Sequence, residues 1–430
     1  MKQIVNNFLR NKNCVINHIP LAKEKIHIIK KLGITQDNQH WLEIKCMLEK
    51  LHFGEISVKS ALETLSAISG MPLEEIKSDL LFCYQTGLLE CHITDVCNLT
   101  CIHCHYRKKQ NATLPFSALQ EYIETLCPKA ITVTGGGEPN CYKSQGKTHN
   151  DVTALFKSID PDMELGLINN NTFIPEGDWY NRYDWQRTSV DAINREQYKY
   201  IKGVDMYDAC IHNIEHFLDS DISFVGIGFL FRDENIESIP IFLQDWFKRY
   251  LSMSKSAQEK FNIQFRPIAP DIDIVEHYDS GSMDKRMAQT VQDVNKLAVN
   301  IPGFDLFLRE KTNFHHIDNS SGSYFLHTPK PFANCYNALL HRVLRADGTE
   351  YPDFLLCNRS DMALGNVLQT KLSPDLERIK IALGTFYFYH RLAAEHCNPK
   401  ICRQGWVSNA IETNWAANVE AMGYPRQSFF

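Results

Sequence analysis

The stretch Cys97-Asn98-Leu99-Thr100-Cys101-Ile102-His103-Cys104 packs three cysteines into eight residues directly after an apolar run. Three thiolates on one loop can reach three irons of a [4Fe–4S] cluster and leave the fourth iron without a protein ligand. The same loop would suit a zinc knuckle if His103 or His105 supplied a fourth ligand. The opening residues, MKQIVNNFLRNKNCVINHIP, contain no apolar h-region, so no secretory signal and a cytoplasmic setting are expected. In that reducing compartment the 14 cysteines of the 430-residue chain read as metal ligands or reactive thiols before they read as disulfides.

Outward from this loop, the chain alternates between apolar strands and helical stretches. Expected strands are Cys91 to Thr94, Ala130 to Thr134, Glu164 to Ile168, Arg187 to Val190, Phe224 to Phe231 and Asn262 to Phe265. Helical patterns over Phe116 to Leu126, Asp151 to Ser158, Tyr207 to Leu218 and Ile239 to Tyr250 lie between them. Six such repeats imply an α/β fold, a partial (β/α)6 TIM-like barrel of parallel strands joined by right-handed crossovers. Chemistry in such barrels sits at the carboxyl ends of the strands. Residues 1–88 read as a helical or winged-helix-like unit, with Trp41, Ile44, Leu48 and Leu51 at helical spacing, Ser57 as a cap and a helix from Pro72 to Gly87. The barrel is expected over 89–310. Residues 311–430 form an extension in which Arg342 to Arg345, the Asp347-Gly348 turn and Glu350 to Leu355 suggest a β-hairpin.

A second motif, Thr134-Gly135-Gly136-Gly137-Glu138-Pro139, closes the second expected strand. Three glycines there let backbone approach a ligand closely, and free carbonyls with Glu138 can accept hydrogen bonds from an ammonium group. Taken together, the cysteine loop and this run closely resemble the radical S-adenosylmethionine (radical SAM) superfamily over roughly Cys91 to Pro267. The resemblance implies that Cys97, Cys101 and Cys104 bind a [4Fe–4S] cluster whose open iron chelates the amino and carboxylate groups of AdoMet. It also implies reductive cleavage of AdoMet to a 5′-deoxyadenosyl radical that abstracts a substrate hydrogen atom.

Further positions follow from the same resemblance. His103 stands where the family usually has an aromatic residue beside the adenine. Asn169, Asn170 and Asn171 follow the third strand, and Ser189 and Asp191 the fourth, where the family contacts the AdoMet carboxylate or ribose. Gly228, in Val225-Gly226-Ile227-Gly228, resembles the stretch that packs along the adenine. Each of these is equally readable as a polar group or turn at a strand end.

Cys335, Cys357, Cys397 and Cys402 resemble the ligands of a twitch domain, the shorter relative of SPASM, and imply an auxiliary [4Fe–4S] cluster fully held by protein. The segment from Gly348 to Cys357 is longer than the family's spacing, and four buried thiols or a zinc site would fit the same residues. Cys141, three residues beyond Glu138, is a candidate hydrogen-atom donor. The remaining Cys14, Cys46, Cys83, Cys91, Cys127 and Cys210 lack paired spacing and read as packing residues.

Lys and Arg total 45 against 51 Asp and Glu, a net charge of −6, which removes the footprint of a general nucleic-acid binder. The longest apolar stretch, near Ile222 to Phe231, is too short to span a bilayer. The expected partners are a flavodoxin- or ferredoxin-type electron donor and the substrate. The helical start and the twitch-like end favour a ribosomally made peptide that is crosslinked, epimerised or dehydrogenated. The alternative is dehydrogenation, epimerisation or lysis of a small natural-product precursor such as an aminosugar or nucleoside. A non-catalytic iron–sulfur or zinc protein is the distant alternative.

Overall fold

A computed structural model describes residues 12–104, 106, 111–267, 281–314, 334–357 and 359–391. Cys397 and Cys402, and with them half of the expected auxiliary ligand set, lie outside the described residues, as does His105.

Four helices come first: α1 (Lys12–Lys31), α2 (Trp41–His52), α3 (Val58–Ser69) and α4 (Leu73–Tyr84). Ser57 caps α3 by accepting the Ser60 N–H at 3.1 Å, and Gly70 ends it in the left-handed conformation. No strand occurs among the described residues before Leu88, so the described part of this unit is helical and carries no wing.

Strands β1 (Leu88–Cys91) and β2 (Ala130–Val133) follow, joined through α5 (Phe116–Leu126). A small hairpin of β3 (Lys143–Ser144) and β4 (Lys147–Thr148) leads into α6 (His149–Ile159) and β5 (Glu164–Asn169). Then come β6 (Trp185–Ser189), α7 (Arg195–Lys202), α8 (Tyr207–Asp219), β7 (Phe224–Phe231), α9 (Ile239–Ser252), α10 (Lys255–Lys260) and β8 (Phe261–Pro267). Beyond it lie α11 (Gly281–Asn300), α12 (Phe304–Lys311), α13 (Asn337–Leu340), β9 (His341–Leu344), β10 (Thr349–Tyr351), β11 (Gly365–Asn366) and α14 (Pro374–Arg391).

Strands β1, β2, β5, β6, β7 and β8 are neighbours in that order and all parallel, the six-stranded half of a (β/α) barrel. The sheet stays open: the far side of β1 pairs in parallel with β9, which continues antiparallel into β10 and β11. Arg266 of β8 helps to hold the Glu90 carboxylate of β1 below its usual range. Trp185 lies against Gly166 of the neighbouring strand, where a Cβ would come within 2.0 Å of its ring. One face of the strands is buried against the helices and mostly apolar, with Leu89, Ile131, Leu165, Val225, Ile227 and Ile263 at 0% exposure and Gln186 and Thr188 of β6 among them.

Two elements differ from the sequence reading. The first strand ends at Cys91 instead of starting there, because Ile93 to Val96 leave the ladder and run beside the glycine turn. The hairpin after Cys335 does form, with Glu350 opposite Leu344, but as an extension of the barrel sheet. Helix α14 then returns to the N-terminal helices: His52 stacks on Tyr387 at 4.8 Å, and His390 meets Trp41 at 4.5 Å. Segments 1–88 and 311–430 are thus packed against each other through their described residues.

Candidate active site

The cysteine loop is pinned from two sides. On one side Gly137 N donates to Thr94 O and Glu138 N to Val96 O, both at 2.8 Å. On the other, Thr100 N donates to Lys202 O at 3.0 Å and Ile102 N to Ile201 O at 2.9 Å. The second pair fills carbonyls at the C-terminal end of α7, which a helix leaves without internal partners. Between these anchors Cys97, Cys101 and Cys104 are partly exposed. Burial pushes the Cys101 thiol up, the Lys202 ammonium opposes it, and the Cys104 and Cys97 thiols both act on it, so the three lie within electrostatic reach of one another.

Among the described residues no three His, Cys, Asp or Glu converge as the ligands of a single ion would. A cubane takes each thiolate at a different iron, and three partly exposed thiols on one loop fit that group without converging on a point.

The glycine run owes its composition to its neighbours. Gly135 and Gly136 have φ of +60° and +58°, and a Cβ would lie 2.2 Å from His92 Nε2 and 2.4 Å from Asp95 Oδ1 respectively. At Gly137 it would lie 2.1 Å from Val96 O. The close approach these glycines permit is therefore to the segment that leads into Cys97. Glu138 is 2% exposed, and its carboxylate accepts the backbone N–H of Asn170 at 2.7 Å and of Asn140 at 3.2 Å. Its first structural role is thus to tie the β2 and β5 loops together. Cys141 is half-buried at the end of the short 3-10 turn that Glu138 caps.

Asn170 reaches the cysteine loop itself: its amide donates to Asn98 Oδ1 at 2.8 Å, and Asn98 donates to Thr172 Oγ1 at 2.7 Å. Asn169 accepts from Gln186 at 2.7 Å. Asn171 is fully buried at φ +55°, and neither polar atom of its side chain has a hydrogen-bond partner among the described residues. Ser189 at the end of β6 is opposite Gly228 of β7.

Asp191 and His103 face each other, which the sequence reading did not foresee. Asp191 is fully buried and pairs with Lys202, while His103 Nε2 lies 3.6 Å from its Oδ2. Burial works against the Asp191 carboxylate, but Lys202 and the His103 hydrogen bond outweigh it and hold it down to about 2. The ring of His103, expected beside an adenine, points at this carboxylate. Lys202 and Asn98 were missed because neither type is unusual in its local pattern; only the Gly203 stop after α7 marked the place, where a Cβ would meet Thr100 Oγ1 at 2.0 Å.

Within the barrel, Glu90 and His92 form a 2.9 Å pair; burial opposes the Glu90 carboxylate, yet His92, His341 and Arg266 hold it below its usual range. Arg187 reaches over Gly228 to bond Gln264 two strands away. Cys335 and Cys357 are buried on either side of the hairpin. The Cys357 thiol donates to Phe354 O at 2.8 Å and lies 3.4 Å from the Tyr106 hydroxyl, just beyond the cysteine loop.

An open parallel barrel with three thiols on the loop after its first strand defines a class, an α/β fold that gathers its candidate metal ligands at the carboxyl ends of the strands. No family model matches the chain. A probable GTP 3′,8-cyclase of Saccharolobus islandicus is 23% identical over 211 residues, 46% of this chain and 59% of the relative. Another from Halobacterium salinarum is 22% identical over 164 residues, 34% of this chain and 43% of the relative. The match thus spans no more than about three-fifths of these relatives' length. Among solved structures, Streptococcus suis SuiB bound to precursor peptide SuiA has a TM-score of 0.49 at 13% identity, covering 80% of this chain and 78% of that one. Native anSMEcpe with bound AdoMet and Cp18Cys peptide also has a TM-score of 0.49 at 13% identity, covering 75% and 88%. The cysteine loop and the glycine run, on which the resemblance to the radical SAM superfamily rests, thus stand together at the ends of β1 and β2, held by the bonds from Gly137 to Thr94 and from Glu138 to Val96. No helix among the described residues is long and apolar enough to cross a membrane.

Proposed function

We propose that this chain cleaves AdoMet reductively and removes a hydrogen atom from a substrate carbon held in the barrel. The observation that carries this reading is the loop of three partly exposed thiols, anchored between the glycine run and the end of α7. When bound there through Cys97, Cys101 and Cys104, a [4Fe–4S] cluster supplies the electron that splits the sulfonium to a 5′-deoxyadenosyl radical. The protein's own part is positioning. Gly137 and Glu138 hold the entry of the loop through Thr94 and Val96, and Asn170 and Thr172 hold Asn98 within it. Backbone polar groups of Gly135 and Gly136 after β2 and of Ser189 at the end of β6 are offered to AdoMet, with Gly228 of β7 opposite Ser189. Arg187, Gln264, Glu90 and His92 give the barrel a polar, charge-bearing lining against which a substrate is oriented.

An auxiliary cluster on Cys335, Cys357, Cys397 and Cys402 is part of the proposal, supported by the buried placement of the first two around the hairpin. A flavodoxin- or ferredoxin-type donor would reduce the first cluster. For the substrate we favour a ribosomally made peptide, supported by the helical unit packed onto α14 beside the barrel. A nucleoside-type small molecule is the second reading, supported by the GTP 3′,8-cyclases among the relatives.

Anaerobic reconstitution followed by iron and sulfide counting tests the cofactor content. Two cubanes give about eight irons per chain, falling to about four when Cys97, Cys101 and Cys104 become alanine. Zinc without absorbance near 400 nm would overturn the reading. Formation of 5′-deoxyadenosine from AdoMet with dithionite, compared in the presence of a candidate precursor peptide and of GTP, separates the two substrate readings.

A further inference from the structure

Arg345 joins the two sets of cysteines. Its backbone is closed into the β9–β10 turn, where its N–H donates to Thr349 O at 2.8 Å and its carbonyl accepts the Gly348 N–H at 2.9 Å. The turn is held in place by β1, because Leu344 O accepts the His92 N–H at 2.8 Å. From this fixed root the guanidinium meets three groups. Its Nη1 donates to the backbone carbonyl of Cys357 at 2.9 Å, its Nη2 lies 3.7 Å from Asp95 Oδ1, and its Cζ sits 4.8 Å from the centre of the Tyr106 ring. Asp95 stands two residues before Cys97 and Tyr106 two residues after Cys104. One side chain therefore meets both ends of the cysteine loop and the backbone of a cysteine from the C-terminal set.

The contacts suit a guanidinium in particular. A planar fork can donate to an acceptor in its own plane while its face lies on an aromatic ring, and an ammonium cannot do both. Asp95 is 1% exposed and its Oδ1 has no hydrogen bond among the described residues, so Arg345 is the charge that faces it. A buried carboxylate in that position depends on its counter-charge. The same Oδ1 lies close over Gly136, where a Cβ would come within 2.4 Å of it. Displacement of Cys357 thus reaches the glycine turn through two side chains, Arg345 and Asp95. We propose that Arg345 is a positioning residue that couples the two cysteine sets, so that AdoMet is held tightly at the glycine turn only while Cys357 is fixed in place. The inference rests on the reading that Cys97, Cys101 and Cys104 carry the cluster that binds AdoMet and that Cys357 is an auxiliary ligand.

The experiment is calorimetric titration of AdoMet into the reconstituted full chain without reductant, so that AdoMet is bound and not cleaved, with iron counted on the same samples. Arg345→Met and Cys357→Ala each weaken AdoMet binding about tenfold, and the double variant is no weaker than either. Arg345→Met keeps about eight irons and Cys357→Ala about four. Arg345→Lys keeps the charge beside Asp95 but not the fork; it also loses the response to Cys357→Ala, and it serves where Arg345→Met does not fold. A merely structural arginine would lower the urea midpoint and leave the dissociation constant of the folded protein unchanged, and that result overturns the proposal. Losses that add in the double variant overturn it too, since the two residues would then act separately. Weaker binding that only follows iron lost from Arg345→Met would assign the residue to cluster assembly, with the same consequence. A wild-type chain that counts about four irons or none, or that binds no AdoMet, overturns the underlying reading and the proposal with it.

Discussion

A Cβ on Gly137 would lie 2.1 Å from the carbonyl oxygen of Val96, inside any permitted contact, and 2.5 Å from the backbone carbon of Asp95. The obstacle is backbone, so it cannot swing aside as a side chain would. Gly137→Ala must push the 94–96 segment away and break the 2.8 Å bonds that Gly137 and Glu138 make to it. The expected cost is roughly 1–3 kcal/mol, as for other overpacked sites. Iron loading of the reconstituted protein should fall as well, because that segment leads directly into Cys97. Gly146→Ala, on the β3–β4 turn, meets nothing within 4 Å and is strained only by its own φ of +75°, so it is the control and should keep its iron. Equal loading of the two variants would separate the glycine run from the cysteine loop.

The Arg342–Glu350 pair joins the C-terminal hairpin to the barrel and to the N-terminal helices. The two side chains are 1% and 0% exposed and 2.8 Å apart, and Glu350 also accepts from the hydroxyls of Tyr122 on α5 at 2.9 Å and Tyr84 on α4 at 3.4 Å. Removing one partner leaves a buried charge alone, which costs about 3–5 kcal/mol. Glu350→Gln and Arg342→Met should each show a loss of that order in urea unfolding, and the double variant should lose less than the two separately. Additive losses would mean the pair does not act as a unit.

The barrel was legible in the sequence because most strands turn an apolar side to the helices, β6 with Gln186 and Thr188 being the exception, and Phe116 to Leu126 and Phe224 to Phe231 match the observed elements end to end. The cysteines and glycines were legible because few other reasons place those residue types so densely. What was not legible is long-range: α7 from Arg195 is strongly polar, and nothing local says its last carbonyls will meet Thr100 and Ile102. Asp191 read as an AdoMet contact or a strand-end polar group, whereas its buried salt bridge depends on Lys202 eleven residues on. The joining of β9 to β1 was equally hidden, since either edge of a parallel sheet can accept another strand.

His149 is expected to make the fold acid-sensitive. Its neutral ring is fixed by chemistry around it: Asn140 donates through Nδ2 to Phe173 O, so its Oδ1 accepts from His149 Nδ1 at 2.8 Å, and Nε2 accepts from the Tyr183 hydroxyl at 2.6 Å. Burial lowers the ring to about 3, against 6.5 for an exposed histidine. Between those values the unfolded chain binds a proton that the folded chain does not, so this contribution is complete above pH 6.5 and is lost as pH falls towards 3. In urea unfolding at pH 6.5, 5.5 and 4.5, His149→Gln should lose less stability across the series than the wild type. Parallel curves for the two proteins would show that the ring takes up its proton in the folded chain as readily as in the unfolded one.

Lys25 gives the opposite end of the pH range. Its ammonium is fully buried on α1 and donates to Leu339 O at 2.7 Å and to Gln85 O, joining the first helix to the turn before β1 and to α13. Burial draws it down to about 7, with Cys83 working against the shift and Arg342 adding to it. From pH 7 to 10.5 the unfolded chain therefore holds a proton that the folded chain has released, and stability contributed here rises with pH across that window. The full swing is at most about 5 kcal/mol at 1.36 kcal/mol per unit. Lys25→Met removes the titration but also strips two buried carbonyls of a donor, so its absolute stability is a poor readout. The difference between wild type and variant, measured by urea unfolding at pH 7, 8, 9 and 10, cancels the tyrosines and other groups common to both. That difference should shift in favour of the wild type at each step; a difference independent of pH would mean that Lys25 keeps its proton in the folded chain throughout.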